Sequence, residues 1–328
     1  VRQQSALSAH AAVLAALEKP LAAMMEGKPR RSPFPSLTLV GTPRFRPFRN
    51  VWMLEELRDA LPAEAGFRYE HTMAAPQSDE ARAHHPMGKV PSLLVRDAEG
   101  DFTLIESAAI NSWLGDRMRE YVGEDSGFLV PRPGSRDRAV YDSFVQFLVA
   151  EADSSGLWIH RKLESLGEKK AFGAVRYALL PARLQFDRAM AGVRAQLEAQ
   201  SARQASYFLV GRCFTAADVL LVHCCDWAAG VDADKGPAAC WLSKYTDDVM
   251  FQDYLGRMRA RPAYLRAKQI QEMKKATILP KTNCTLPLKL LAASCVLGSV
   301  CATTIDVFRP DSRSAEYRAA VALYNAFC

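Results

Sequence analysis

The segment from His85 to Ser107 constrains the fold of this 328-residue chain more than any other, because it carries signals for a hairpin and for the helix that follows. Two short apolar runs in this segment flank an acidic turn that contains a glycine, and this pattern predicts a β-hairpin. Pro91 stands at the start of the first run, where a missing backbone N–H disturbs strand pairing least. Ser107 is a favourable N-cap, so we predict a helix over 108–117.

The residues before this segment predict a strand, a helix and a second strand. Residues 37–41 form an apolar run of strand length, and Pro47 then suits the first turn of a helix whose apolar residues recur at helical spacing. The charged residues of 55–58 are predicted to face outward from that helix. Residues 67–73 alternate as a half-buried strand does. The order strand, helix, strand, loop, hairpin, helix predicts a thioredoxin-like α/β N-terminal domain over 36–120.

The second half of the chain predicts an all-α helical-bundle C-terminal domain. After a linker rich in glycine and proline, two long segments contain little that breaks a helix: 138–166 and 172–202. Thr215 and Asp218 then form the Asp variant of a capping box at another helix start. We therefore predict a helical domain over 136–276.

Composition favours a globular protein of a reducing compartment. The sequence is 49% hydrophobic and 24% charged, as globular domains are, and its mild net charge of +6 gives no support for nucleic-acid binding. All eight cysteines lie at or beyond Cys213, without a CxxC pair or zinc-like spacing. We therefore expect free thiols, a cytoplasmic location, no thioredoxin-type dithiol and no metal site.

Both ends of the chain are predicted to be extensions of these two domains. Residues 1–35 are alanine-rich; a transit peptide is one explanation, but Glu18 and Glu26 argue against it because such peptides avoid acids. In the C-terminal extension, 277–328, residues 286–305 approach the length of a membrane span but have a low apolar density. We favour an extra packed helix or a loosely ordered tail there, with a membrane anchor as the alternative.

Several motifs together resemble the soluble glutathione transferases. The resemblance covers about 36–275 and rests on Gly-Lys-Val-Pro-Ser-Leu at 88–93, Leu-Ile-Glu-Ser-Ala-Ala-Ile at 104–110, Arg-Asn-Val-Trp-Met-Leu-Glu-Glu-Leu at 49–57, the capping segment 208–219, and the turn at 258–264. It implies a homodimer that acts in detoxification, with glutathione as a substrate and no metal.

The resemblance also implies a glutathione site. In the family the proline corresponding to Pro91 is cis, and the backbone of Val90 would pair with the cysteinyl part of glutathione. Glu106 and Ser107 would hold the γ-glutamyl end, which fits its chemistry: a serine at a helix N-terminus suits a carboxylate, and an acid suits an ammonium. Lys89 would reach the glycyl carboxylate, unless it is an ordinary solvated loop lysine.

The sequence offers more than one candidate for the group that activates the thiol. Serine-type family members carry a hydroxyl four or five residues before the arginine that corresponds to Arg49, and here those positions are Phe45 and Arg44. Thr42 offers the only side-chain hydroxyl of this loop, so it is our candidate donor to the thiolate; alternatively it only caps the turn and Phe45 fills the hydroxyl's place. Arg46 and the helix N-terminus are a further means of stabilising a thiolate.

The helical domain would supply the second substrate pocket. The resemblance assigns to it four aromatic residues, Phe45, Tyr141, Phe144 and Trp158, although those of the helical domain could equally form an aromatic core. The predicted function is conjugation of the glutathione thiolate to an electrophilic, mostly apolar co-substrate. The competing hypothesis, favoured by the missing serine, is a glutathione-binding or scaffolding module that has this fold and little activity.

Overall fold

The computed structural model of the chain describes residues 33–122, 127–162, 172–204, 207–233 and 239–278. The predicted terminal extensions therefore lie almost entirely outside the described residues, as does segment 286–305. Within the described ranges, no helix is both long enough and apolar enough to span a membrane.

The N-terminal domain is a four-stranded mixed sheet with three α-helices, which confirms the predicted thioredoxin-like unit. Its strands are β1 (Ser36–Val40), β2 (Tyr69–Thr72), β3 (Ser92–Asp97) and β4 (Gly100–Ile105), in the order β2-β1-β3-β4. Strand β1 pairs parallel to β2 and antiparallel to β3, and β3–β4 is the predicted antiparallel hairpin. The helices are α1 (Pro47–Ala60), α2 (Asp79–His84) and α3 (Ser107–Val122), with a 3₁₀ turn at Ala63–Ala65.

Helix α2 occupies the segment that the sequence predicted as a loop. It has six residues, which is too short to display a helical hydrophobic period. Ser78 caps it, because its hydroxyl accepts a hydrogen bond from the Ala81 N–H at 3.2 Å.

Helix α1 lies between the sheet and the helical domain, and this corrects one sequence prediction. The carboxylates of Glu55 and Glu56, predicted to face outward, are buried. They form ion pairs with Arg266 and Arg261 at 2.8 and 2.7 Å. The charged residues that mark an exposed face in an isolated amphipathic helix here join two domains.

The second domain is all-helical, as predicted. It contains α4 (Arg136–Phe147), a π-helix (Leu148–Trp158), α5 (Phe172–Ser201), α6 (Ala216–Gly230), α7 (Val249–Arg259) and α8 (Pro262–Ile278), with a 3₁₀ turn at Ser243–Tyr245. The segment predicted as one helix over 138–166 is thus α-helical at first and then becomes π-helical for 11 residues. Its last residues, 163–166, lie outside the described ranges.

The predicted capping box is present at the start of α6. The buried Asp218 carboxylate accepts hydrogen bonds from the backbone N–H groups of Thr215 and Leu209, both at 2.8 Å, and from the Tyr254 hydroxyl at 2.8 Å. One side chain therefore ties the start of α6 to α7 and to the preceding loop, which supports its predicted role in folding.

Candidate functional site

The candidate site lies where the loop after β1 meets the segment before β3. The Val90–Pro91 peptide bond is cis, as the resemblance implies. A Cβ placed on Gly41, the residue after β1, would lie 2.9 Å from the Val90 Cβ, so the two backbones approach closely. Val90 is half-buried, while Lys89 is exposed. Lys89 is therefore accessible to solvent next to the half-buried Val90.

Glu106 and Ser107 form the corner where β4 becomes α3. Glu106 has φ of 68°, in the left-handed region that non-glycine residues rarely adopt, and its carbonyl accepts the first helical hydrogen bond from the Ile110 N–H at 2.9 Å. Its side chain is exposed, whereas Ser107 is buried. Backbone outliers of this kind cost about 1–3 kcal/mol and cluster at ligand-binding sites.

Directly beneath Ser107 lies the side chain of Arg49, which is 1% exposed. Its Nη1 is 3.3 Å from Ser107 Oγ, and its Nε donates to His223 Nδ1 at 3.0 Å. Its Nη2 forms a 2.7 Å ion pair with Asp153 of the π-helix. Burial lowers the pKa of His223, and the Arg49 charge lowers it further, so the imidazole is neutral and its Nδ1 can accept.

Two asparagines join the starts of α1 and α3 next to this arginine. Asn50 Nδ2 donates to the Ser107 carbonyl at 3.0 Å and to Asn111 Oδ1 at 2.7 Å, and Asn111 Nδ2 donates to the Arg49 carbonyl at 3.2 Å. Both asparagine side chains are buried. The position of Ser107 relative to α1 is therefore fixed by hydrogen bonds from both helices.

Thr42 lies in the loop that leads into α1, and it is buried. Its N–H donates to the Ala74 carbonyl at 3.0 Å. The next residue, Pro43, accepts a 2.6 Å hydrogen bond from Gln271 of α8, so the helical domain also holds this loop. Phe45, at the position of the family's hydroxyl, is half-buried and has the Arg161 guanidinium 4.4 Å from its ring centroid.

Arg46 is bound more tightly than the sequence suggested. Its Nε and Nη2 donate to the two carboxylate oxygens of Asp153 at 3.0 and 2.7 Å, and its guanidinium stacks on Trp158 at 4.8 Å. Burial alone would lower the pKa of Arg46, but the Asp153 carboxylate raises it. Because a buried carboxylate already compensates this cation, it is a weaker partner for a thiolate than a free arginine would be.

The residues predicted for the second pocket lie in different environments. Phe45 and Trp158 each stack against a guanidinium near the start of α1. Tyr141 is fully buried, its hydroxyl is 2.8 Å from Ser112 Oγ, and burial raises its pKa. It is therefore part of the hydrophobic core. Phe144 packs edge-on against Phe147, with ring centroids 6.1 Å apart.

No family model and no curated protein matches the sequence. Solved structures do match: the glutathione transferase URE2P6 of Phanerochaete chrysosporium, determined with oxidized glutathione, is 17% identical and has a TM-score of 0.55, with 72% of this chain and 96% of that chain covered. The chain has the glutathione transferase fold.

Two further solved structures with this fold also match the chain. A glutathione transferase family member of Pseudomonas fluorescens pf-5, with two glutathione molecules bound, has 17% identity and a TM-score of 0.54 over 70% of this chain and 91% of that chain. Ure2p in complex with glutathione has 17% identity and a TM-score of 0.53 over 73% of this chain and all of that chain (100%).

On this glutathione transferase fold, the structure adds polar residues that the sequence did not indicate. Asp153 and His223 belong to the helical domain, and both contact Arg49. The place of Arg49 at the start of the 49–57 motif was the one available signal, and it indicated a helix start and not a buried ion pair. Among the described residues, no group of three or more His, Cys, Asp or Glu is arranged to hold a metal ion.

Proposed function

We propose that this protein binds glutathione and conjugates its thiolate to an electrophilic, mostly apolar co-substrate. The observation that carries the proposal is the position of two features on a glutathione transferase fold. The cis Val90–Pro91 bond borders the loop after β1, and the Glu106–Ser107 corner begins α3. Structures of similar fold contain glutathione or oxidized glutathione.

The proposed binding mode assigns each charged end of the tripeptide to a group of opposite charge or to a donor. The Val90 backbone pairs with the cysteinyl part beside Pro91. The Glu106 carboxylate receives the γ-glutamyl ammonium, the Ser107 hydroxyl at the N-terminus of α3 donates to the γ-glutamyl carboxylate, and Lys89 attracts the glycyl carboxylate. Main-chain pairing supplies the orientation and the charged ends supply the affinity.

The proposed chemistry begins with ionisation of the glutathione thiol. Thr42 donates a hydrogen bond to the thiolate, which lowers the thiol pKa because the bond favours the charged form. The positive end of α1 lies in the same loop and adds to this effect. The thiolate then attacks the electrophile, forming a carbon–sulfur bond as the leaving group departs. Phe45 and Trp158 are the proposed aromatic contacts of the co-substrate. A cytoplasmic homodimer is part of the same proposal.

The competing proposal is a glutathione-binding or scaffolding module with little catalytic activity. Two observations favour it: Phe45 stands in place of the family's hydroxyl, and Arg46 is already paired with Asp153. Calorimetric titration with glutathione and a conjugation assay with chlorodinitrobenzene separate the two. Binding with conjugation supports the enzyme, binding without conjugation supports the module, and the absence of binding refutes both glutathione proposals.

Replacement of Thr42 tests the thiolate donor. A hydrogen bond to a charged group contributes about 1.5–3 kcal/mol, so Thr42→Val should reduce kcat/KM for conjugation about 10- to 100-fold and leave the Kd of glutathione nearly unchanged. The apparent pKa in the pH profile of kcat/KM should rise towards the pKa of the free glutathione thiol. Thr42→Ser, the matched control, should keep the wild-type profile. Unchanged conjugation by Thr42→Val would show that another group holds the thiolate.

A further inference from the structure

A buried pair of charges joins the helical domain to the start of α3. Asp153 of the π-helix and Arg49 of α1 are each 1% exposed, and their carboxylate and guanidinium are 2.7 Å apart. The other side of the Arg49 guanidinium reaches the Ser107 hydroxyl at 3.3 Å. The three groups therefore form a continuous chain from the helical domain to the proposed γ-glutamyl site.

The chemistry of this chain determines how the Ser107 hydroxyl is oriented. A guanidinium has only donors, so Ser107 Oγ is the acceptor in its contact with Arg49. A hydroxyl has one hydrogen to donate, and that hydrogen must therefore point away from Arg49. Above Ser107 lies the N-terminal end of α3, which together with the hydroxyl forms a set of donors suited to a carboxylate.

Asp153 is the group that keeps Arg49 in this position. The remaining partners of the Arg49 side chain are neutral: the His223 imidazole at 3.0 Å and the Cys224 thiol at 3.6 Å. A buried guanidinium without a carboxylate is strongly destabilised and would move towards solvent. Arg46, the residue just before α1, shares the same carboxylate, so Arg49 and Arg46 both depend on this single residue of the π-helix.

We propose, on the basis of the glutathione binding proposed above, that Asp153 and Arg49 are positioning residues for the γ-glutamyl carboxylate. The carboxylate of the π-helix holds the α1 guanidinium, and the guanidinium turns the Ser107 hydroxyl towards the ligand. The helical domain thereby controls glutathione affinity from beneath the site, without contacting glutathione.

The test compares glutathione with 4-aminobutyryl-cysteinyl-glycine, which lacks only the γ-glutamyl carboxylate. In calorimetric titrations of the full chain, Asp153→Asn should weaken glutathione binding about tenfold, which corresponds to one hydrogen bond to a charged group. Binding of the analogue should change less than about twofold. A general distortion of the site would weaken both ligands equally.

Glu56→Gln provides the matched control. Glu56 is also a buried carboxylate at the domain boundary, and it holds Arg261 through two 2.7 Å hydrogen bonds. This variant should leave the ratio of the two affinities at its wild-type value. In a Ser107→Ala background, Asp153→Asn should cause no further selective loss, because the hydroxyl through which it acts is absent.

Arg49→Lys keeps the proposal testable if Asp153→Asn fails to fold. A lysine retains the charge opposite Asp153 but lacks the planar fork that reaches Ser107 and His223 together, so it should show the same selective loss. Equal effects on both ligands, or no effect on either, in whichever variant folds would overturn the inference while wild-type glutathione binding stands. Failure of the wild type to bind glutathione would overturn the proposed function and this inference with it.

Discussion

Alanine at position 41 should destabilise the protein and weaken glutathione binding at the same time. Gly41 has φ of 139°, within the range that favours glycine. An added Cβ would lie 2.8 Å from the Pro47 Cγ and 2.9 Å from the Val90 Cβ. Neither neighbour yields easily, because Pro47 is a ring at the first turn of α1 and Val90 is joined to Pro91 before β3.

The expected cost has two parts. The backbone conformation costs a non-glycine residue about 1–3 kcal/mol, and overpacking a filled site costs about 1–3 kcal/mol more. Gly41→Ala should therefore lower the free energy of unfolding by about 2–6 kcal/mol. Gly100→Ala is the matched control, since Gly100 has φ of 129° and no heavy atom within 4 Å of its added Cβ. It should show only the first part.

Urea unfolding followed by tryptophan fluorescence measures the free energy of unfolding of both variants. The two values can be compared if the m-value is unchanged. The steric reasoning predicts a difference of about 1–3 kcal/mol between them. It also predicts that the glutathione Kd rises in Gly41→Ala alone, because Val90 must move. Equal destabilisation by the two substitutions would show that the neighbours give way, and would refute the reasoning.

Two further predictions concern buried carboxylates. Tyr254→Phe should lower the free energy of unfolding in urea by about 1–3 kcal/mol, because it removes the 2.8 Å hydrogen bond to the buried Asp218; a loss below about 0.5 kcal/mol would contradict this. Burial raises the pKa of the Asp153 carboxyl, but the charges of Arg49 and Arg46 more than offset this and hold the pKa below its usual range. The unfolded chain therefore binds the proton first as pH falls below about 4. The stability difference between wild type and D153N in urea should be largest near neutral pH and should shrink below about pH 4; a difference independent of pH would contradict it.

Local patterns were sufficient for most of the fold. The β3–β4 hairpin, the start of α3 at Ser107 and the Asp218 capping box all depend on residues close together in the chain. Apolar alternation, turn residues and caps act over this range, so the sequence carries their signal directly. Helix α2 was missed because one and a half turns contain too few residues to show a period.

The proposed glutathione segment was also accessible from the sequence, because its residues are contiguous on either side of one hairpin. The roles of the arginines were not. The sequence suggested that Arg46 could serve a thiolate, but its partner Asp153 is 107 residues away. Nothing in an apolar helical segment distinguishes a buried carboxylate that compensates two cations from one that faces solvent.

The sequence by itself determined the two-domain architecture and the segment on which the glutathione proposal depends, because short-range propensities and caps act within a few residues. Tertiary structure alone decided the protonation and pairing of the charged groups. Packing the π-helix against the start of α1 buries Arg49 and Asp153 and partly buries Arg46. In that low-dielectric environment each charge requires a partner, and the partner is chosen by the fold and not by proximity along the chain.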